Sequence, residues 1–377
     1  MKLLHLADLH IGKKLNGHSL IEDQRAFFSQ MYECVKVEQI DVIVIAGDIY
    51  DRSVPSEEAT TLFDDVIYTL CVELKRKVVA IAGNHDSAVR LDFSRNLLAR
   101  QGFYIIGEYR ELVNMIEIEG VQFFFFPFVE PVTIREMYKS LLEAREETLS
   151  DYNETMKFIV ESAYPLLDKH KKSVALFHGF VIGVGDTLER EESVKALSVG
   201  GKEYVSVDIF APFDYVALGH LHGARQVKRE GCRYCGSPIK YSFSEKSQKK
   251  VLTVVEIGSD INVKEVEIVE HRPMIEVRGS VSEILNSAIS PQSYLKVTLT
   301  QYELDAMNRL RSKYENVLEL GMDIVSVALS EREVQSSEIA KLSVVELFQH
   351  FSASVGIELE EAETHYLESV AERVGER

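Results

Sequence analysis

Several short segments of this chain place metal-binding side chains where apolar runs end: Asp8 with His10, Asp48, Asn84 with His85 and Asp86, His178, and His220 with His222. In an extended segment residues two apart point the same way, so Asp8/His10 and His220/His222 each form a two-pronged clamp. Imidazole, carboxylate and one amide oxygen make a mixed nitrogen and oxygen set that suits manganese, iron or zinc, whereas magnesium relies mostly on oxygen. Asp8, His10, Asp48, Asn84, His178, His220 and His222 are too many ligands for one ion. They fit two ions about 3.5–4 Å apart that share a carboxylate, an arrangement suited to in-line attack on phosphorus. Taken singly, each motif reads as well as a polar strand cap or a surface pair. The argument is their joint occurrence, since five of the chain's 11 histidines fall at ends of apolar runs. His5, His18, His170, His271, His350 and His365 lack such company and read as ordinary core or surface residues.

The elements that must carry these residues are legible in the hydrophobic pattern. Residues 2–7, Val42–Ala46, Lys77–Ala82, Ser173–Phe177 and Asp214–Leu218 are short, rich in apolar and β-branched residues, and bounded by turn formers, which predicts buried strands. Between them, 20–38, 56–74 and 88–101 read as helices, with Leu20, Phe27, Phe28, Met31 and Val35 on the apolar side of the first and Ser56 as N-cap of the second. This alternation predicts an α/β sheet with parallel strands. Ligands on several strand ends then converge at its carboxyl edge. Strands follow near 103–106, 112–118 and 121–126, then helices over 132–146 and 151–170, and a long polar loop over 183–203. Phe123–Phe126 has no basic residues between its aromatics and reads as core rather than as a base-stacking surface.

At 377 residues the chain exceeds one ordinary core, and 46% hydrophobic with 27% charged residues is a soluble globular composition. Its start holds no signal-peptide pattern and no apolar run has membrane-spanning length, so a cytoplasmic protein is expected. Cys34, Cys71, Cys232 and Cys235 fit a reducing compartment, and Cys232-Arg-Tyr-Cys235 has no second pair to complete a zinc site. A net charge of −18 argues against coating nucleic acid by bulk electrostatics. Between Arg225 and Lys250, however, eight basic and two acidic residues give a local +6, which makes Arg225, Lys228 and Arg229 candidates for phosphate contact or, equally, for a solvated hairpin surface. Pro273 marks a boundary, with alternating strands and helices after it, and residues 338–377 form two acidic amphipathic helices with a capping box at Ser343–Glu346.

Asp8-x-His10, Gly47-Asp48, Gly83-Asn84-His85-Asp86, His178-Gly179 and Gly219-His220-x-His222 resemble, in order, the signature of calcineurin-like metallophosphoesterases. Leu6-Ala7-Asp8-Leu9-His10-Ile11-Gly12, Gly47-Asp48-Ile49-Tyr50-Asp51, Gly236-Ser237-Pro238-Ile239 and Tyr241-Ser242-Phe243 are similar to the DNA-repair nuclease branch of that superfamily. The resemblance covers essentially the whole chain. It implies a metallophosphoesterase β-sandwich flanked by helices over 1–270, a small α+β DNA-capping domain over 271–334, and C-terminal helices over 335–377 that dock an SMC-like ATPase partner. It implies one metal held by Asp8, His10, Asp48 and His222, a second by Asp48, Asn84, His178 and His220, and His85 as the residue that contacts the scissile phosphate and aids the leaving oxygen. Asp86 is expected to orient an imidazole from behind. The implied activity is a two-metal DNA nuclease, with Mn2+ favoured and Mg2+ or another transition metal as alternatives. It would act as an ATP-dependent 3′ to 5′ exonuclease on duplex ends and an endonuclease on single strands and hairpins, in break repair and recombination. The implied assembly is a homodimer, through helices 56–74 and 88–101, within a heterotetramer in the bacterial cytoplasm at the nucleoid. No G-x-x-x-x-G-K-[ST] loop is present, so ATP is handled by the partner. The rival readings are a small-molecule phosphodiesterase or phosphatase on the same fold, and a scaffold whose metal site no longer works.

Overall fold

The computed structural model describes residues 1–183, 204–323, 343–354, 359 and 361–374. The loop expected over 183–203, the strand over 323–329 and the turn near Gly356 fall, but for Gly183 and Asp323, outside the described residues. The chain divides into two compact units, one of Met1–Ile275 with Gln292–Tyr294 and one of Glu276–Pro291 with Leu295–Arg377.

Six-stranded sheets form both halves of the first unit. One runs in the order Ile261–Glu267, Val251–Ile257, Lys2–Leu6, Val42–Ala46, Lys77–Ile81, Phe103–Ile106. The other runs Arg225–Val227, Arg229–Tyr234, Tyr215–Gly219, Lys172–His178, Val121–Phe126, Asn114–Ile118. In the first sheet Lys2–Leu6 through Phe103–Ile106 run parallel, and Val251–Ile257 and Ile261–Glu267 add antiparallel; in the second the four central strands are parallel and both edge strands antiparallel. Parallel strands covered on both faces must be apolar on both, which is why Val42–Ala46 is buried along its whole length. Alternate residues serve different cores. Leu3, Val42, Val44, Val79 and Ile81 meet Phe123, Phe125, Val174, Leu176 and Ala217 between the two sheets. Leu4, Leu6, Ile43 and Ile45 face the helices Ile21–Val37 and Glu57–Tyr68, through Phe27, Met31, Leu62 and Phe63. Phe124, Phe126, Ala175 and Phe177 face the helix Tyr152–Glu161, through Met156 and Ile159. The result is a sheet sandwich with helices on both outer faces.

Several expected helices are shorter or broken, each for a local reason. The helix over 88–101 is replaced by Ala88–Leu91, Arg95–Leu98 and a 3₁₀ turn over Ala99–Gln101. Ser94 there adopts φ +59°, which a continuous helix does not admit, and the buried Asp92 carboxylate draws the Gly107 N–H, Arg95 and Arg110 to itself. The 56–74 helix starts on its Ser56 cap, whose hydroxyl accepts the Ala59 N–H at 3.2 Å, and relaxes into a π turn over Thr69–Glu73. The 151–170 helix stops at Glu161, because Pro165 has no N–H to continue it. The 132–146 helix is interrupted at Tyr138.

A three-stranded sheet in the order Met274–Gly279, Tyr294–Leu299, Asn316–Met322 has most of its residues in the second unit, with helices Val281–Leu285 and Ala306–Arg311 between successive strands. Ser280 and Glu283 form a capping box at the first of these helices. The helices Val344–Ser354 and Glu361–Val374 are the last two elements among the described residues. Ser343 and Glu346 bond reciprocally at the start of the former, with Ser343 N–H to Glu346 Oε2 at 2.7 Å and Glu346 N–H to Ser343 Oγ at 3.3 Å.

Candidate metal centre

Parallel register brings the carboxyl ends of Lys2–Leu6, Val42–Ala46 and Lys77–Ile81 to one edge of the first sheet, and those of Lys172–His178 and Tyr215–Gly219 to one edge of the second. The two edges meet, because the His178 Nδ1–H donates to the Ala46 carbonyl of the opposite sheet at 2.8 Å. All seven sequence-derived ligand residues gather there. His10 Nε2 lies 3.2 Å from His222 Nε2 and 3.7 Å from Asp48 Oδ2. His178 Nε2 lies 3.4 Å from Asp48 Oδ2 and 3.0 Å from Asn84 Oδ1, which is 3.3 Å from His220 Nδ1. Asp8 receives the His220 N–H on both carboxylate oxygens at 3.0 Å.

The backbone pays for this convergence in strain. Asp8, His10, Asp48 and His220 all have positive φ, at +53°, +40°, +50° and +112°. Non-glycine residues avoid that region at a cost of about 1–3 kcal/mol each, and it is held only where the surroundings overdetermine it. Here those surroundings include the Asp8 N–H to Gly47 carbonyl and His10 N–H to Asp48 carbonyl bonds, both 3.0 Å. Gln24 adds a further tie, donating to the Leu9 and His10 carbonyls at 3.1 and 2.8 Å.

The donor set fits a divalent cation. Asp8, His10 and His222 present ligand atoms within 4.8 Å of one another, and so do Asp8, Asp48 and His178. His178 Nδ1 is committed to a carbonyl, so a neutral ring aims the Nε2 lone pair at two oxygens, a contact that only a shared proton or cation makes favourable. With protein groups alone a proton takes that place: burial pushes the His178 pKa down, but Asp48 more than offsets it and holds the ring at about 9. The remaining nitrogens cannot be satisfied this way. Burial lowers the pKa of His10 well below its usual value, and burial with the nearby His178 lowers that of His220 to about 3. His10 Nδ1 and His220 Nε2 are buried without a hydrogen-bond partner. Burial also raises Asp8 to about 6. Imidazole nitrogens set 3.2–3.7 Å from one another and from the buried Asp48 carboxylate form a costly arrangement that a bound cation relieves.

His85 stands at the mouth of this cluster. Its N–H donates to Asp48 Oδ1 at 2.9 Å, its ring meets that of His10 edge-on at 4.8 Å, and its Nδ1 lies 3.0 Å from the Asp51 carbonyl. The residue is exposed. Asp86 does not orient an imidazole. Its carboxylate accepts the N–H groups of Ile49, Tyr50 and Gly83 at 3.1, 2.9 and 2.9 Å, so it ties two ligand-bearing loops together instead. The reason is spacing: three residues after Gly83 the chain has turned back on itself, and the side chain meets backbone before any ring.

The basic stretch is largely committed within the protein. Arg229 donates to the carbonyls of Asp214, Phe210 and Phe213, and Lys228 pairs with Asp208. Arg233 pairs with Glu265, and Arg225 lies over the Tyr234 ring at 5.7 Å. Cys232 and Cys235 are buried free thiols near a strand end. Sequence reasoning missed four side chains that touch the cluster. Glu245 accepts from His222 Nδ1 at 2.9 Å and is held at about 2 against its own burial by His222 and Lys250. Lys250 bonds Glu245 at 2.7 Å, Asp51 lies 4.0 Å from His10 Nδ1, and Tyr241 packs edge-on against the His10 and His222 rings. The one hint of Glu245 was an acidic residue inside a basic run just after the last clamp.

A sandwich whose strand ends share a nitrogen and oxygen metal cluster defines a metal-dependent phosphoester hydrolase, and the chain belongs to the calcineurin-like phosphoesterases, whose family pattern it matches over residues 1–224. Residues 270–355 match the type 5 capsule protein repressor C-terminal domain. Within the superfamily the chain belongs with the D subunit of the SbcCD nuclease: the Staphylococcus epidermidis protein of that name is 33% identical over 327 residues, covering 85% of each chain. Solved structures similar to it include GAP50 of the Plasmodium inner membrane complex, at 14% identity and TM-score 0.39 over 89% of this chain and 98% of that one. The E. coli phosphoesterase Yfce aligns at 14% identity and TM-score 0.26, over 68% of this chain and 88% of that one. Among the described residues no helix is long and apolar enough to cross a membrane.

Proposed function

We propose that this chain is the nuclease subunit of a DNA-end-processing complex, hydrolysing DNA phosphodiesters with two divalent ions, Mn2+ foremost. The observation that carries this reading is the convergence of Asp8, His10, Asp48, Asn84, His178, His220 and His222 on one sheet edge, where Asp8, His10 and His222, and likewise Asp8, Asp48 and His178, present ligand atoms within 4.8 Å of one another. Asp8, His10, Asp48 and His222 would hold one ion, and Asp48, Asn84, His178 and His220 the other. When bound, such ions lower the pKa of water to near neutral and neutralise charge developing on phosphorus. His85 then supplies what the ligands cannot. With Nδ1–H given to the Asp51 carbonyl, Nε2 is the atom left to face substrate, and in the imidazolium form it would carry the second proton that passes to the departing oxygen. Lys13 and the exposed Arg52 pair at 2.7 and 3.7 Å with the carboxylate of Asp51, the residue whose carbonyl accepts from the His85 ring.

The partner in this reading is an SbcC-type SMC-like ATPase docked by the C-terminal helices, with residues 271–334 capping DNA. Exposed Leu347, Phe348 and Phe351 on Val344–Ser354 support a helix-in-groove contact. Homodimerisation through 56–74 and 88–101 is supported by exposed Tyr68, Val72, Val89, Phe93 and Leu97. Cleavage of linear duplex and hairpin DNA with Mn2+, alone and with partner and ATP, tests the nuclease reading. Asp48→Ala and His85→Ala are expected to abolish it, the latter with Mn2+ binding retained. Undiminished cleavage by Asp48→Ala would refute the reading, and turnover of small phosphodiesters alone, even with partner and ATP, would favour a non-nuclease phosphodiesterase. Removing residues 338–377 is expected to end co-purification with the ATPase and to leave small-phosphodiester turnover intact.

A further inference from the structure

The His222 ring is held from behind in a way the other cluster histidines are not. His178 gives its Nδ1–H to a backbone carbonyl, His220 Nδ1 faces the Asn84 amide oxygen, and His10 Nδ1 has no hydrogen-bond partner. His222 Nδ1 meets a carboxylate, Glu245 Oε1, at 2.9 Å. The other oxygen of that carboxylate receives the Lys250 ammonium at 2.7 Å. Lys250 Nζ also lies 3.0 Å from the His222 carbonyl, 2.8 Å from Ser237 Oγ and 2.8 Å from Gln248 Oε1. One ion pair therefore grips His222 at both its ring and its backbone.

Glu245 and Lys250 are only 6% and 3% exposed. Burying such a pair costs several kcal/mol in desolvation, which an apolar pair of the same volume would avoid, so stability does not account for it. Orientation does. A carboxylate on Nδ1 fixes that nitrogen as the protonated one and turns the Nε2 lone pair toward His10 and Asp8. It also raises the donor strength of Nε2, while the Lys250 ammonium holds the Glu245 carboxylate in place.

We propose that Glu245 and Lys250 are positioning residues for the metal centre, fixing the His222 tautomer and tightening the ion shared by Asp8, His10 and His222. This rests on the metal reading given above and concerns a step before any DNA is bound. Mn2+ binding to the full-length protein without DNA, followed by titration calorimetry and by the electron paramagnetic resonance of free Mn2+, tests it. Glu245→Ala is expected to weaken binding at one site about 10- to 100-fold. Glu245→Gln keeps an acceptor for Nδ1–H but not the charge, and is expected to fall between Glu245→Ala and wild type. Lys250→Met, which leaves every proposed ligand side chain in place, is expected to weaken the same site. The Gln variant keeps the packing of the site, so it stays informative if the Ala variant folds poorly. Equal Mn2+ affinity in wild type, Glu245→Gln and Glu245→Ala, with only the unfolding temperature lowered, would overturn the proposal and leave the pair a structural one. Absence of Mn2+ binding by the wild type would overturn the metal reading itself, and the proposal with it.

Discussion

Gly83→Ala tests how tightly Asp48 is held. A Cβ at Gly83 would lie 2.2 Å from Asp48 Oδ1 and 2.3 Å from the Asp48 backbone nitrogen, against a floor of 3.0 Å for real Cβ contacts. The carboxylate oxygen would have to retreat by 0.8 Å, the difference between those values, and it is pinned by the His85 N–H at 2.9 Å. The backbone nitrogen cannot swing aside as a flexible side chain could. Gly83 does not have a positive φ, so the effect is steric and not one of backbone conformation. A shift of this size at a ligand that also neighbours His10 and His178 is expected to cost about 100-fold in turnover. Overpacking adds about 1–3 kcal/mol of destabilisation. The assay is Mn2+-dependent hydrolysis of a small phosphodiester, read beside Mn2+ affinity and thermal unfolding. Gly258→Ala, whose Cβ meets nothing nearer than Asp260 O at 3.7 Å, serves as the comparison. Turnover and affinity of Gly83→Ala within about threefold of wild type would refute the claim that Asp48 is fixed.

His5 gives a pH prediction away from the ligands. It is fully buried against Tyr215, its Nδ1 2.9 Å from the hydroxyl, and burial with the charge of Arg233 lowers its pKa from 6.5 to about 3. The unfolded chain takes up this proton below pH 6.5 while the folded one does not, so stability is complete above 6.5 and falls with pH down toward 3. About 2 kcal/mol is lost by pH 5, and His5→Phe is expected to remove that slope in denaturant unfolding; parallel slopes for the two proteins would count against the assignment. Lys228 and Arg229 should separate. Lys228→Glu, at an exposed pair, is expected to leave unfolding unchanged while weakening DNA binding and its salt dependence, and unchanged binding at low salt would remove it from the interface. Arg229→Glu strips three carbonyls of their donor and is expected to cost about 1–3 kcal/mol in thermal unfolding, so its DNA result is interpretable only beside that measurement.

The sequence by itself determined the strands that carry Asp8, Asp48, Asn84, His178 and His220, because a strand buried on both faces must be written as an unbroken apolar run, and a polar residue at its end stands out. It also determined which donor types stand at those ends, since side-chain type is independent of folding. Only the tertiary structure decided what those residues face. Two sheets, not one, share the site, and no local pattern records that His178 reaches across to the Ala46 carbonyl. Helix lengths failed where a distant contact intervened, as when Asp92 took up Gly107 and Arg110 and the 88–101 helix broke. Asp86 reads from its neighbours as a partner for an imidazole, yet in the fold it binds backbone. Glu245 and Lys250 lie more than twenty residues beyond His222 and reach it through a strand return, a contact that exists only once the sheets have closed.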